Sequence, residues 1–119
     1  MAEQRSALIV DDEHDIRELL VVTLGRMGLR TDSAPNLAVA REMLSTVAYD
    51  LCLTDMRLPD GSGLELVAEI GTRFPTTPVA VITAYGNVEA AVEALKAGAF
   101  DFVTKPVDLS VLRGLVKQA

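Results

Sequence analysis

Three short, nearly unbroken apolar runs constrain this chain more than any other feature: Ala7-Leu8-Ile9-Val10, Leu51-Cys52-Leu53-Thr54 and Val79-Ala80-Val81-Ile82. They alternate with segments whose apolar residues fall at helical spacing. Strands buried on both faces, separated by amphipathic helices, are the pattern of a parallel sheet covered on both sides. After the first run, Ile16, Leu19, Leu20, Thr23, Leu24 and Met27 fall at i, i+3, i+4, i+7, i+8 and i+11, which predicts a helix over residues 13–27, ended by Gly28. Asn36 is a good N-cap for a second helix that buries Leu37, Ala40, Met43, Leu44 and Val47. Gly63 opens a third, closed by Gly71 and Pro75. A fourth runs from Asn87 to Lys96 with Val88, Ala91, Val92 and Leu95 inward and stops at Gly98, and Asp108 caps a fifth.

The strands differ in a way that suggests their order. The second (Leu29–Ser33) and the fifth (Phe100–Val103) carry charges, as edge strands do. With right-handed crossovers, edges at these positions fit the order 2-1-3-4-5. The expected fold class is therefore a doubly wound, five-stranded parallel α/β sheet of the flavodoxin type with five helices. In that order strands 1 and 3 are neighbours, and the crevice at their C-terminal ends is where ligands bind in open α/β sheets.

Three carboxylates open into that crevice: Asp11 and Asp12 after the first strand, Asp55 after the third. At ~4 Å and an effective dielectric of ~20, each like-charged pair repels by ~4 kcal/mol. The cluster must take up a proton or bind a cation. Oxygen-only ligands favour a hard cation of the magnesium class, which takes phosphate oxygens into its shell.

Composition removes several alternatives. A chain of 119 residues, half of them hydrophobic, makes one domain with a real core. Its apolar runs are far shorter than the ~18 residues of a spanning helix, so no membrane contact is expected. The N-terminus has no charged region leading into a long apolar stretch, and a cytoplasmic location is expected. Cys52 cannot form an internal disulfide and is expected to pack in the core. One Cys and one His cannot build a structural zinc site, and His14 is read as a solvated surface residue. A net charge of −6 with no basic run and 4% aromatic residues lacks the footprint of a nucleic-acid binder. No direct nucleic-acid contact is expected.

Taken together, Val10-Asp11-Asp12-Glu13, Asp55, Pro59-Asp60-Gly61, Thr83-Ala84 and Lys105-Pro106 resemble the receiver domain of two-component response regulators, in order and across essentially the whole chain. Each piece has an ordinary reading alone: Asp12 and Glu13 suit the first turn of a helix, Asp60-Gly61 a turn, Thr83 a strand end. Their conjunction carries the resemblance. It implies Asp55 as phosphoacceptor, a carboxylate nucleophile that takes phosphate from the phosphohistidine of a sensor histidine kinase. It implies magnesium as cofactor, held by Asp12 directly, Asp11 through water, Asp55 and the Met56 carbonyl. Lys105 would pair with a phosphoryl oxygen, Thr83 would be the switch hydroxyl and Phe102 the switch aromatic. The Lys105-Pro106 bond would be cis. Arg57 and Tyr85, two residues beyond the acceptor and the switch threonine, would flank the path of the hydrolytic water and set the lifetime of the phosphate.

Ile82-Thr83-Ala84-Tyr85-Gly86-Asn87, Ala90-Ala91-Val92-Glu93-Ala94 and Lys96-Ala97-Gly98-Ala99-Phe100-Asp101-Phe102 further resemble the receivers of sigma-54-dependent transcriptional activators of the nitrogen-regulator type. The resemblance implies an ATPase and a DNA-binding domain downstream of residues 1–119, since no Walker-type Gly-rich loop lies within them. It leaves the receiver without enzymatic activity beyond its own phosphorylation and dephosphorylation. Leu109, Val111, Leu112, Leu115 and Val116 cover a wider arc than the ~100° stripe a surface helix needs. That points to a homodimer through the fourth helix, fifth strand and fifth helix. Two other readings stand beside this one. A stand-alone receiver would act by binding a partner, and a magnesium-dependent aspartyl-phosphate phosphatase would typically carry an acid Asp where this chain has Arg57.

Overall fold

A computed structural model describes residues 4–119. In chain order the elements are β1 (Ser6–Val10), α1 (His14–Arg26), β2 (Arg30–Ala34), α2 (Leu37–Thr46), β3 (Leu51–Thr54), β4 (Arg57–Leu58), β5 (Gly61–Ser62), α3 (Gly63–Arg73), β6 (Val79–Thr83), α4 (Val88–Ala97), β7 (Asp101–Thr104) and α5 (Leu109–Gln118). The sheet has the order β2-β1-β3-β6-β7, all parallel. Counting its five strands alone, this is the expected 2-1-3-4-5. The two-residue strands β4 and β5 form a separate antiparallel ladder on either side of Pro59-Asp60, and no sequence pattern predicts them.

The period of two along each strand divides the core into two layers. Leu8, Val10, Cys52, Val79 and Val81 pack against Leu37, Ala40 and Leu44 of α2 and Leu66, Val67 and Ile70 of α3. Ala7, Ile9, Leu51, Leu53, Ala80 and Ile82 face Leu20 and Leu24 of α1 and Leu112 and Leu115 of α5. Each fully buried Leu or Ile contributes ~1.5–3 kcal/mol relative to exposure, which pins the register. Cys52 is buried and free, and burial pushes its thiol up to about 12.

Two helices depart from the expected faces and a third from its expected end. On α4, Val88 is 79% exposed and Leu95 52%, Val92 is exposed as well, and Ala90 and Ala94 are buried. The helix packs on β7 and α3, and small side chains let its backbone come close; side-chain size, rather than hydrophobicity, sets its rotation. On α1, Leu19 is 59% exposed while Leu20 and Leu24 carry the packing. Gly71 lies inside α3, which runs to Arg73 and ends just before Pro75, where a following proline disfavours helix.

Candidate functional site

The register of β1 and β3 brings the acidic strand ends together. Val10 pairs with Thr54, the Asp55 N–H donates to the Val10 carbonyl at 2.8 Å, and the Asp11 N–H donates to the Ala34 carbonyl at 3.1 Å. Ligand oxygens of Asp11, Asp12 and Asp55 lie within 4.8 Å of one another. Asp11 and Asp55 are buried and Asp12 is exposed, so the cluster has a solvated mouth and a dry floor.

Lys105 reaches this floor from the end of β7. Its Nζ donates to Asp11 Oδ2 at 2.7 Å and to Asp55 Oδ2 at 3.0 Å. The backbone is set by a bond from the Lys105 N–H to the Thr83 carbonyl at 2.9 Å and by a cis Lys105-Pro106 peptide. Burial by itself would lower the lysine, but the bonds to Asp11 and Asp55 hold it above its ordinary value. With all three carboxylates ionised, one ammonium leaves two formal negative charges uncompensated. An oxygen-only donor set with that surplus fits a hard divalent cation.

The other carboxylate bonds orient the two buried acids. Asp55 Oδ1 accepts from the Met56 N–H at 2.6 Å and, more weakly, from the Arg57 N–H at 3.4 Å. Asp11 Oδ1 accepts from the Glu13 N–H at 2.9 Å, while Arg17 donates to the Asp11 carbonyl at 2.8 Å. The Arg17 contact has no local sequence signal, because it depends on where α1 lies over its own N-terminal loop.

The Met56 carbonyl is differently placed from the sequence expectation. It accepts from the Gly63 N–H at 2.8 Å, as part of the β4–β5 ladder. Successive carbonyls of a strand point to opposite sides, so the Arg57 carbonyl points away from β5. Arg57, and not Met56, lines the cavity of about 230 Å³ that also holds Asp12, Asp55, Pro59, Ala84 and Tyr85.

Thr83, at the end of β6, is fully buried, and its Oγ1 accepts from the Tyr85 N–H at 3.2 Å. The Tyr85 ring is half exposed, with the Arg57 guanidinium 3.8 Å from its centroid. This cation–π stack forms one wall of the cavity over Asp55; on its far side lies a groove of about 570 Å³ lined by Asn87, Ala90 and Glu93. Phe102, on β7, is partly buried against the core. On α5, Leu112 and Leu115 are core residues, Val116 is partly buried, and Leu109 and Val111 are exposed. The expected contact surface therefore loses Leu112 and Leu115, whose side chains the sheet already covers.

The response regulator receiver domain family matches residues 7–117. This chain belongs to that family. The receiver is 66% identical over 116 residues to the response regulator protein PilR of Pseudomonas aeruginosa, covering 98% of the chain and 26% of that protein. It is 38% identical over 111 residues to the DNA-binding transcriptional regulator NtrC of Escherichia coli, covering 93% of the chain and 24% of NtrC. The receiver thus spans about a quarter of the length of these relatives. Among solved structures, the beryllofluoride-activated NtrC4 receiver domain dimer superposes with a TM-score of 0.85 at 30% identity, covering 96% of this chain and 98% of that one. It is a two-component receiver of the NtrC type, as the stretch from Ile82 to Phe102 suggested. No helix among the described residues is long and apolar enough to cross a membrane.

Proposed function

We propose that this receiver is a phosphorylation-controlled switch that accepts phosphate on Asp55 from a sensor histidine kinase and controls a transcription-activating output. The observation that carries the reading is the buried Asp55 carboxylate, bonded to Lys105 and set beside Asp11 and Asp12 on the wall of an open cavity. A carboxylate oxygen of Asp55 attacks the phosphorus, the phosphorus–nitrogen bond of the donor breaks, and an acyl phosphate forms. Asp11, Asp12, Asp55 and the Arg57 carbonyl, in place of that of Met56, are the oxygens that would hold magnesium. A magnesium ion there would offset charge on the transferring phosphoryl group. Lys105, already at the Asp55 oxygen, would pair with a phosphoryl oxygen by a charge-assisted hydrogen bond. Thr83 would turn its hydroxyl to the phosphate, and Phe102 would follow into the space released. The test is incubation with acetyl phosphate: one phosphate is expected by intact mass with magnesium present and none after chelation. Equal labelling after chelation would refute the cation's part.

We further propose that ATPase and DNA-binding domains lie downstream and that sigma-54-dependent transcription is the output, as the resemblance to nitrogen-regulator-type activators implies; the relatives are about four times as long as this chain, and one is named a DNA-binding transcriptional regulator. The signal would pass through the face formed by α4, β7 and α5. Val88, Val92 and Leu95 on α4 and Val111 on α5 expose apolar surface, whereas Leu109 lines a groove with Leu19 and Thr23 of α1; exposed apolar surface beyond scattered single residues marks interaction sites. That face is proposed as a homodimer contact strengthened by phosphorylation. Sedimentation with magnesium and beryllofluoride should show a shift toward dimer, and a mass indifferent to the phosphoryl mimic would refute it.

Arg57 and Tyr85 would control how long the phosphate lasts, because water reaching the acyl phosphate from the cavity must pass their stack. An exposed cation–π contact is worth ~0.5–1 kcal/mol, so replacing both residues with serine should speed dephosphorylation about two- to fivefold. An unchanged decay of the phosphorylated protein would remove them from the path.

A further inference from the structure

Asp60 sits in the exposed turn between β4 and β5, away from the acidic cluster, yet its carboxylate has fixed partners. Oδ1 accepts from the Leu37 N–H at 2.9 Å and Oδ2 from the Ala38 N–H at 3.0 Å. These are the first two residues of α2, whose next N–H, on Val39, goes to Asn36 Oδ1 at 2.9 Å. The helix therefore has two caps, one local and one reaching back from a turn 23 residues further along the chain. The bond from Leu37, more than any other contact, holds the Asp60 carboxyl below its ordinary range. Gly61 has φ +151°, and a Cβ there would fall 2.8 Å from Leu37 Cδ1, so the turn rests directly on the start of α2.

The base of the same loop is held from the other side. Gly63 bonds the Met56 carbonyl, Ser62 caps α3, and Glu65 bonds back to the Ser62 N–H at 3.1 Å. Between base and tip lies β4, a two-residue strand whose one ladder partner is β5. Among the described residues β4 pairs with no strand of the five-stranded sheet, and the one bond from the Arg57 N–H toward it, to Asp55 Oδ1, is a weak 3.4 Å.

We infer that Asp60 is a positioning residue for the cation site: by clamping the turn onto the N-terminus of α2, it fixes the Arg57 backbone beside Asp12 and Asp55. The inference rests on the cation reading above. Magnesium demands near-ideal octahedral geometry and dehydrates reluctantly, so a backbone oxygen that drifts is a poor ligand. Partners that orient ligands from outside the coordination shell typically matter ~10–100-fold in metal affinity.

Magnesium titration by calorimetry tests this on the whole chain. Asp60→Ala should weaken binding about tenfold, at low salt and also at about 1 M KCl, where the Debye length falls to about 3 Å. Asn36→Ala removes the other cap of the same helix and should leave the affinity unchanged, with melting curves showing that both variants are folded. Asp60→Asn, which keeps one acceptor oxygen, should fall between Asp60→Ala and the parent chain. An unchanged affinity for Asp60→Ala overturns the clamp. So does a deficit that vanishes at high salt, which would be plain charge removal, or an equal deficit in Asn36→Ala. Asp12→Ala separates the two ideas: if it too leaves binding untouched, the cation reading falls and the clamp with it. If Asp12→Ala abolishes binding while Asp60→Ala does not weaken it, the clamp alone fails.

Discussion

Asp55→Asn should take up no phosphate at all from acetyl phosphate and magnesium, while the parent chain takes up one. The amide nitrogen has no nucleophilic lone pair and the amide oxygen carries no full charge, so no oxygen at that position can form the acyl phosphate. The neighbouring acids are not placed to substitute. Asp11 is buried with both oxygens bonded, to the Glu13 N–H and to Lys105. Asp12 would be committed to the cation. The fold should survive, because the substitution removes one of three clustered negative charges and leaves an oxygen acceptor for Lys105. Intact mass and a melting curve on the same sample read both halves. A variant that labels as fully as the parent would show that Asp55 is not the acceptor.

Gly63→Ala should damage both stability and the site, although it adds one methyl group. Gly63 is buried at the first residue of α3, and a Cβ there would overlap the Asp55 carbonyl oxygen, 2.9 Å from the Asp55 carbonyl carbon and 3.2 Å from Met56 Cα. All three atoms are backbone, so no rotamer change relieves the overlap. Overpacking of this kind costs ~1–3 kcal/mol, and with nothing to yield the upper figure applies. About 3 kcal/mol corresponds to a melting point lower by more than about 10 °C in a domain of this size. The strand end that moves is the one carrying Asp55, so labelling by acetyl phosphate should slow as well. Gly71→Ala is the matched control on the same helix: its Cβ meets nothing within 4 Å and the position is exposed. There alanine should stabilise by ~0.5–1 kcal/mol through helix propensity. A Gly63→Ala protein that melts and labels like the parent would mean that the Asp55–Gly63 approach does not constrain the site.

Much of this receiver is legible in one dimension because its determinants are local or periodic. An apolar run of four residues ending in a carboxylate reads the same at Val10-Asp11 and at Thr54-Asp55 wherever the strands lie. Charges on the β2 and β7 segments mark edges without any coordinates, and the structure has these strands at the edges. Asn36 and Asp108 announce helix starts, and both accept the capping bonds expected of them, from Val39 and Val111. These signals are short-range consequences of backbone chemistry, so sequence spacing suffices to find them.

Tertiary structure alone decided what depends on how large groups share space. On α4 the sequence pattern of Val88, Val92 and Leu95 suggests a buried stripe, but two alanines allow the closest approach to β7 and α3, and the large residues turn outward. The family resemblance implies the Met56 carbonyl as a ligand, whereas the β4–β5 ladder, whose register no periodicity encodes, turns it to Gly63. The contacts of Asp60 with Leu37 and Ala38, of Arg17 with the Asp11 carbonyl, and of Arg57 with the Tyr85 ring join segments whose separation in sequence carries no information about their approach. Hydrophobic period and capping chemistry are properties of one segment. Helix rotation, carbonyl direction and long-range side-chain pairing are set by mutual exclusion and hydrogen-bond satisfaction among several segments, and exist only once the chain has folded.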